Sequence, residues 1–395
     1  MNFRPRRTEV HLNISWTRRI IETGEGDMTI TNYWWYIIWM FVGGGILAVA
    51  FPKQEVLVMG EKQTRWSIFA ALLLAFPFIL AAAGRGNIGD TAVYRKSFEE
   101  APSTLVGISG YLETVTKDKG FSVLTVLIKS VFGNSDVIYF FIIAAIQIVI
   151  VALIFRKFSE DYWLSMFIFI ASTDYFSWVQ NGVRQFVAVA LIFGAFELML
   201  KKKYIAVILI ILLASTMHGS ALLMIPIVFI IQGQAWNRKT LLCIVASILV
   251  LFFVNQFTNM LEVLLSDTQY TNVVSDWRSW NDDGTHPIRV LVYAVPTILS
   301  LIGLRYIKEE NDPVINMCVN AGIISTGLGI ISMGTSGVFL GRLPIYVSLY
   351  STGILLPWEL NHMFTKESAR IIKLIAVIMY IIFFYYQMHF TWGLF

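Results

Sequence analysis

The chain has 395 residues, 56% of them hydrophobic and 14% charged, with a mean hydropathy of +0.66. Soluble domains carry about a quarter charged residues, so this composition excludes an ordinary water-soluble enzyme. A net charge of +4 is too small and too scattered for a nucleic-acid footprint, and Cys243 and Cys318 stand apart in apolar runs, which rules out a disulfide framework or a zinc ribbon.

The first 27 residues hold Arg4, Arg6, Arg7, Arg18 and Arg19 ahead of the first apolar run. Translocating them is unfavourable, and Gly24-Glu25-Gly26-Asp27 requires purine-rich codons that resemble a ribosome-binding site. Residues 1–27 are therefore expected to be an extension ahead of a true start at Met28, or a basic arm. Residues 28–395 then form a single transmembrane domain.

Runs of roughly 20 apolar residues, the length that crosses a bilayer, occur about twelve times. They lie at 33–51, 66–83, 137–155, 162–179, 181–200, 203–217, 219–232, 240–257, 287–306, 314–333, 345–360 and 370–390. The expected class is an all-α polytopic bundle. The block 203–232 is broken at Ser215-Thr216-Met217-His218-Gly219-Ser220, which predicts two short helices with a turn at the histidine. The short loops at 52–65, 156–161, 201–203, 233–239, 305–312 and 361–373 hold 15 basic residues, which places them in the cytoplasm. Loops 84–136 and 258–286, with the turns near Arg184, His218 and Arg342, then face outward.

Each polar cluster on that outer side offers chemistry beside a plainer role. Gly84-Arg85-Gly86-Asn87-Ile88-Gly89-Asp90 matches G-x-G-x-x-G in letters, but a membrane helix precedes it instead of a strand, so it is no dinucleotide fingerprint. It presents Arg85, Asp90 and Tyr94; Asp90 and Tyr94 share a face if a helix starts near Asp90, where Asp90 also suits a cap. Residues 117–133 are too short to span and read as an interfacial amphipathic helix. Arg184 and Arg342 lie at the outer ends of apolar segments, where a guanidinium either holds phosphate oxygens or snorkels to the surface. His218 suits a base, a hydrogen-bond donor to a departing phosphate, or a structural turn; no second His or Cys has metal-ligand spacing. Trp277 and Trp280, beside Asn281, Asp282 and Asp283, suit either sugar binding or an interfacial aromatic belt.

Taken in order, Arg85…Asp90-x-x-x-Tyr94, Gly120-Phe121, Val183-Arg184-Gln185, Met217-His218-x-Ser220-Ala221 and Gly341-Arg342 resemble the EpsG family over residues 29–395. That family comprises Wzy-like polymerases of exopolysaccharides and O-antigens. The resemblance implies a GT-C-like bundle in the bacterial inner membrane that joins undecaprenyl-diphosphate-linked repeat units at its outer face. It implies no cofactor and no metal. His218, Asp90, Arg184 and Arg342 are the expected catalytic residues, with Arg85, Tyr94, Gln185, Ser220, Trp277 and Trp280 binding diphosphate or substrate. The expected partners are the lipid-linked donor and acceptor, membrane lipid, a chain-length regulator and a flippase, with no nucleic acid. A flippase of lipid-linked oligosaccharide and an O-antigen-ligase-like transferase are the alternatives. Charges clustered at the ends of spans favour surface chemistry over transport.

Overall fold

The computed structural model describes residues 31–265, 275 and 284–395; the expected extension at 1–27, Trp277 and Trp280 lie outside the described residues. Helix α1 (Thr31–Ala50) leads into a hairpin, β1 (Gln54–Val58) and β2 (Glu61–Arg65), with Val58 paired to Glu61. Its two turn residues, Met59 and Gly60, both have positive φ (49° and 100°). That is the condition of the two-residue turn that matches strand twist. The hairpin is the one sheet among the described residues, and it forms in what the sequence reading expects to be a short basic loop.

The next helices are α2 (Ile68–Ala83), α3 (Thr91–Glu100), α4 (Ile108–Thr114), α5 (Lys119–Phe132), α6 (Asp136–Phe158) and α7 (Tyr162–Ala171). A π-helical segment, Tyr175–Asn181, then precedes α8 (Val183–Gly194), α9 (Phe196–Leu200) and α10 (Tyr204–Met217). After His218 come a 3-10 segment (Gly219–Leu223), α11 (Met224–Ile230), α12 (Arg238–Phe252) and α13 (Val254–Leu265). The rest comprises α14 (Pro287–Ile302), α15 (Leu304–Glu310), α16 (Pro313–Met333), a 3-10 turn (Leu340–Arg342), α17 (Ile345–Tyr350), a second π segment (Ser351–Leu355), α18 (Leu356–His362) and α19 (Lys366–Tyr386).

Four described helices are long and apolar enough to cross a membrane alone: α1, α6, α16 and α19 with its C-terminal extension. The pairs α12–α13 and α14–α15, bent by 105° and 70°, raise the count to six. The sequence reading expected about twelve. The difference lies in broken and short helices: the apolar run 162–179 divides into α7 and a π segment, 345–360 into α17, a π segment and α18, and the expected pair at 203–217 and 219–232 is shorter than a full span. Side chains such as Val49, Phe252 and Ile371 point out of the bundle, so its surface is apolar, as lipid requires. With helices that satisfy their own backbone, these features make it an all-α membrane protein.

Helix α8 is the hub that positions the site. It packs on α6, on α10 and on α17, while α10 also meets α5. Just before α8, the π segment is anchored by buried hydrogen bonds: the Tyr175 hydroxyl donates to Phe78 O at 2.7 Å, and Gln180 Nε2 donates to the hydroxyls of Tyr36 and Tyr175 at 3.0 and 3.1 Å. A π turn widens the helix and leaves carbonyls out of register with the α ladder that follows. The carbonyls of Val179 and Gln180 are thereby available to an outside donor.

Candidate functional site

The site begins where α10 stops. His218 leaves the helix with extended backbone (φ −157°, ψ 119°), and the chain re-forms as the 3-10 segment one residue later. The predicted pair of short helices with a turn at the histidine is therefore what forms. The extended backbone turns the imidazole off the helix axis. Its Nδ1 lies 2.7 Å from Ser220 Oγ, and Ser220 Oγ lies 2.9 Å from the Tyr346 hydroxyl on α17. This chain of hydrogen bonds joins the histidine turn to a segment far away in sequence.

Helix α5 approaches from the other side. Asp118, at its N-terminus, adopts the left-handed conformation (φ 58°), which Asp tolerates better than most residues. Its Oδ1 accepts the Gly219 N–H at 3.3 Å, and its Oδ2 accepts Arg184 Nη1 at 2.9 Å. Burial pushes the Asp118 carboxyl up, while Arg184 and the Gly219 N–H pull it down. Gly120 allows the approach: a Cβ there would lie 2.1 Å from Thr216 Oγ1 and 2.5 Å from Thr216 Cβ, on the last turn of α10. The predicted amphipathic helix over 117–133 is thus the buttress of the histidine turn, and Gly120-Phe121 marks its point of contact.

Arg184 enters from the first turn of α8, its guanidinium 5.9 Å from the Tyr94 ring centroid. Its Nε is buried with no hydrogen-bond partner among the described residues. Arg342 enters from the 3-10 turn. Gln185 Nε2 donates to the Arg342 carbonyl at 3.3 Å and so fixes the backbone, while the Arg342 side chain makes no hydrogen bond or ion pair among the described residues. Gly341 is needed beside it, since a Cβ would lie 2.3 Å from Thr285 Oγ1.

Three of these positive charges act on one ring. Burial, and then the fields of Arg184, Arg342 and Lys117, lower the His218 pKa from 6.5 to about 4. At neutral pH the imidazole is uncharged, with one N–H to donate, and lies within the field of three cations. Arg184, His218 and Arg342, expected at separate places in the sequence, are brought together. Tyr94, Gln185 and Ser220 lie among them. Asp90 is exposed at the rim, and its field reaches Arg184 and Tyr94. It precedes α3 as expected, but its side chain makes no capping bond.

Arg85 is the exception. It is 4% exposed, and its Nη1 donates to Val179 O at 2.9 Å and Gln180 O at 3.0 Å, while its Nε donates to Ala82 O. The guanidinium also stacks 4.4 Å from the Phe140 ring centroid. Most of its donors are spent on backbone, so its place in the structure is that of a brace under the π segment. Sequence reasoning missed Asp118, Lys117 and Tyr346. Lys117-Asp118-Lys119 entered only as the start of the amphipathic stretch 117–133, and Tyr346 had no adjacent polar residue in sequence to mark it.

The EpsG family model matches residues 68–392. The chain belongs to the EpsG family. No curated protein and no solved structure matches it. EpsG membership points to a polysaccharide polymerase-type, glycosyltransferase-like function in a membrane, and the match spans every residue of the cluster just described.

Proposed function

We propose that this EpsG-family protein joins undecaprenyl-diphosphate-linked oligosaccharide repeat units at the outer face of the bacterial inner membrane, in exopolysaccharide, capsule or O-antigen synthesis. The observation that carries this reading is the convergence of Arg184, Arg342 and Lys117 on the neutral ring of His218. In the reaction an acceptor hydroxyl attacks the anomeric carbon of the donor. A glycosidic C–O bond forms, the C–O bond to the diphosphate breaks, and negative charge grows on the departing diphosphate. Fixed cations in a partly desolvated pocket stabilise that charge most where it develops. Arg184 offers its unpartnered Nε, and Arg342 its whole fork.

A pKa of about 4 makes His218 a weak base but a good neutral donor. Its N–H then serves the leaving diphosphate, with the Ser220–Tyr346 chain holding the ring. Asp118 is occupied by Arg184, so Asp90 at the rim is the carboxylate that takes the acceptor's proton. The fifteen basic residues of the opposite loops support an outward-facing pocket, and the helix-rich bundle is compatible with a GT-C-like architecture. A flippase and a chain-length regulator are the natural partners of such a reaction.

The test uses the full chain reconstituted in liposomes with undecaprenyl-diphosphate-linked repeat units. Arg184→Ala and Arg342→Ala should each abolish long polymer while single units persist. Wild-type ladders in both variants would overturn the assignment. Transfer of the lipid-linked unit between leaflets without lengthening would make the protein a transporter.

A further inference from the structure

Helix α2 ends at Ala83 and α3 begins at Thr91, so Asp90 closes a short loop between them. Three successive residues of the π segment hold that loop. At its start, Arg85 Nη1 donates to the carbonyls of Val179 and Gln180. At its end, the Asp90 backbone N–H donates to Asn181 Oδ1 at 2.9 Å. Asn181 is the last residue of the π segment, and Arg184 follows three residues later in the first turn of α8. One stretch of backbone therefore carries both the support of Asp90 and the arginine that faces it.

The Asn181 contact is close on both sides. Gly89 has a φ of +55°, and a Cβ there would lie 2.1 Å from Asn181 Oδ1 and 2.8 Å from its Cγ. A side chain at position 89 would push the amide off the Asp90 N–H. A backbone N–H in a loop at the protein surface ordinarily bonds to water. Here a side chain from a distant segment takes that place and fixes where Asp90 stands. The Asp90 side chain makes no capping bond, so the clamp acts on its backbone and leaves the exposed carboxylate open to an acceptor. The field of that carboxylate reaches Arg184 and Tyr94. Glycosyl transfer needs the proton acceptor and the cation that receives the leaving charge at a set separation, and a misplacement of about 1 Å can cost ~10²-fold in rate.

We propose that Asn181 is a positioning residue, whose amide oxygen sets the placement of Asp90 relative to Arg184. The clamp stands on its own geometry; its effect on the reaction rests on the polymerase reading, in which Asp90 takes the acceptor's proton.

The experiment uses the full chain in liposomes with undecaprenyl-diphosphate-linked repeat units, and pairs polymerisation kinetics with hydrogen exchange of peptides through residues 86–94. Asn181→Ala should speed exchange at the Asp90 amide by ~10-fold, as expected when a protecting hydrogen bond is lost. It should lower kcat by ~10–10²-fold and leave KM for the lipid-linked donor within about 2-fold, because Arg184 and Arg342 are untouched. Asn181→Asp, which keeps an acceptor oxygen of the same reach, should restore the protection and part of kcat. In an Asp90→Asn chain, adding Asn181→Ala should change the rate no further, since a positioning residue then has no base left to place. An equal further loss in that background would make Asn181 merely structural and overturn the inference. Unchanged Asp90 exchange in Asn181→Ala overturns it too, as does faster exchange with wild-type kcat. If Asn181→Ala fails to fold, Gly89→Ala displaces the same amide from the other side and decides by the same readouts. A wild-type chain with a protected Asp90 amide that makes no polymer would remove the polymerase reading, and the role of Asn181 in catalysis with it, while leaving the clamp.

Discussion

Arg85 and Arg184 follow apolar helical runs at the same end of the bundle, and in sequence each reads as a lone cation beside glycine. The structure separates them. Arg85 spends its Nε and Nη1 on three backbone carbonyls and lies over a phenylalanine, with Nη2 left over, whereas Arg184 shares one nitrogen with Asp118 and keeps Nε unpaired. An arginine's role is set by how many of its donors the fold has already consumed. Spent donors hold structure together; spare ones are available to a ligand.

The largest effect that would break this contrast belongs to Arg85. Arg85→Ala strands the carbonyls of Val179 and Gln180 in a buried site, and should cost about 3–5 kcal/mol, read as lost monodisperse protein and a lower Tm in detergent. Arg184→Ala should cost less in folded yield, since the Arg184 side chain is 33% exposed and Asp118 keeps the Gly219 N–H, and lower polymerisation by ~10²–10³-fold. If the two variants exchanged phenotypes, the distinction would be wrong.

A third variant sharpens the comparison by moving Arg184's partner. Gly120→Ala forces α5 away from Thr216 and carries Asp118 with it, so activity should fall by up to ~10²-fold at little cost in folded yield. Thr216→Gly in the same chain should restore part of it. An unaffected Gly120→Ala variant would show that Asp118 need not be placed so closely.

The smallest effect concerns protons. The folded His218 pKa of about 4 lies below its ordinary value of 6.5, so the unfolded chain takes up the proton first as pH falls. Stability should decline between pH 6.5 and 4, a slope that His218→Gln lacks in thermal unfolding scans. In an NMR titration of labelled histidine, Arg184→Ala should raise the His218 pKa and a folded Arg85 variant should not, because only the first contributes to the field on the ring. Equal shifts would place both arginines at the pocket.

Much of this arrangement is legible in the chain itself. The apolar runs, the turn at His218, the helix after Asp90 and the amphipathic helix within 117–133 follow from hydrophobicity and turn residues, which act locally. The breaks do not. The residues of Tyr175–Asn181 and Ser351–Leu355 are as apolar as an α-helix, and a π turn there depends on partners such as Phe78 O, which composition does not reveal. The hairpin at 54–65 was hidden by its charged alternation, and Met59 gave no sign of the positive φ it adopts. Asp118 was missed because it is buried only when α5 docks on α10 and α8, a long-range event. The family resemblance placed Arg184, His218 and Arg342 in one reaction; only the fold shows that they share one space.

The turn Leu340–Arg342 has a different kind of importance, that of a party wall. Its backbone is pinned by Gln185 on the charged side and, through Gly341, lies against Thr285 on the polar side, with no slack for an added methyl. A side chain added at Gly341 would press on Thr285 and, through the pinned backbone, on the hydrogen bond between Gln185 and the Arg342 carbonyl.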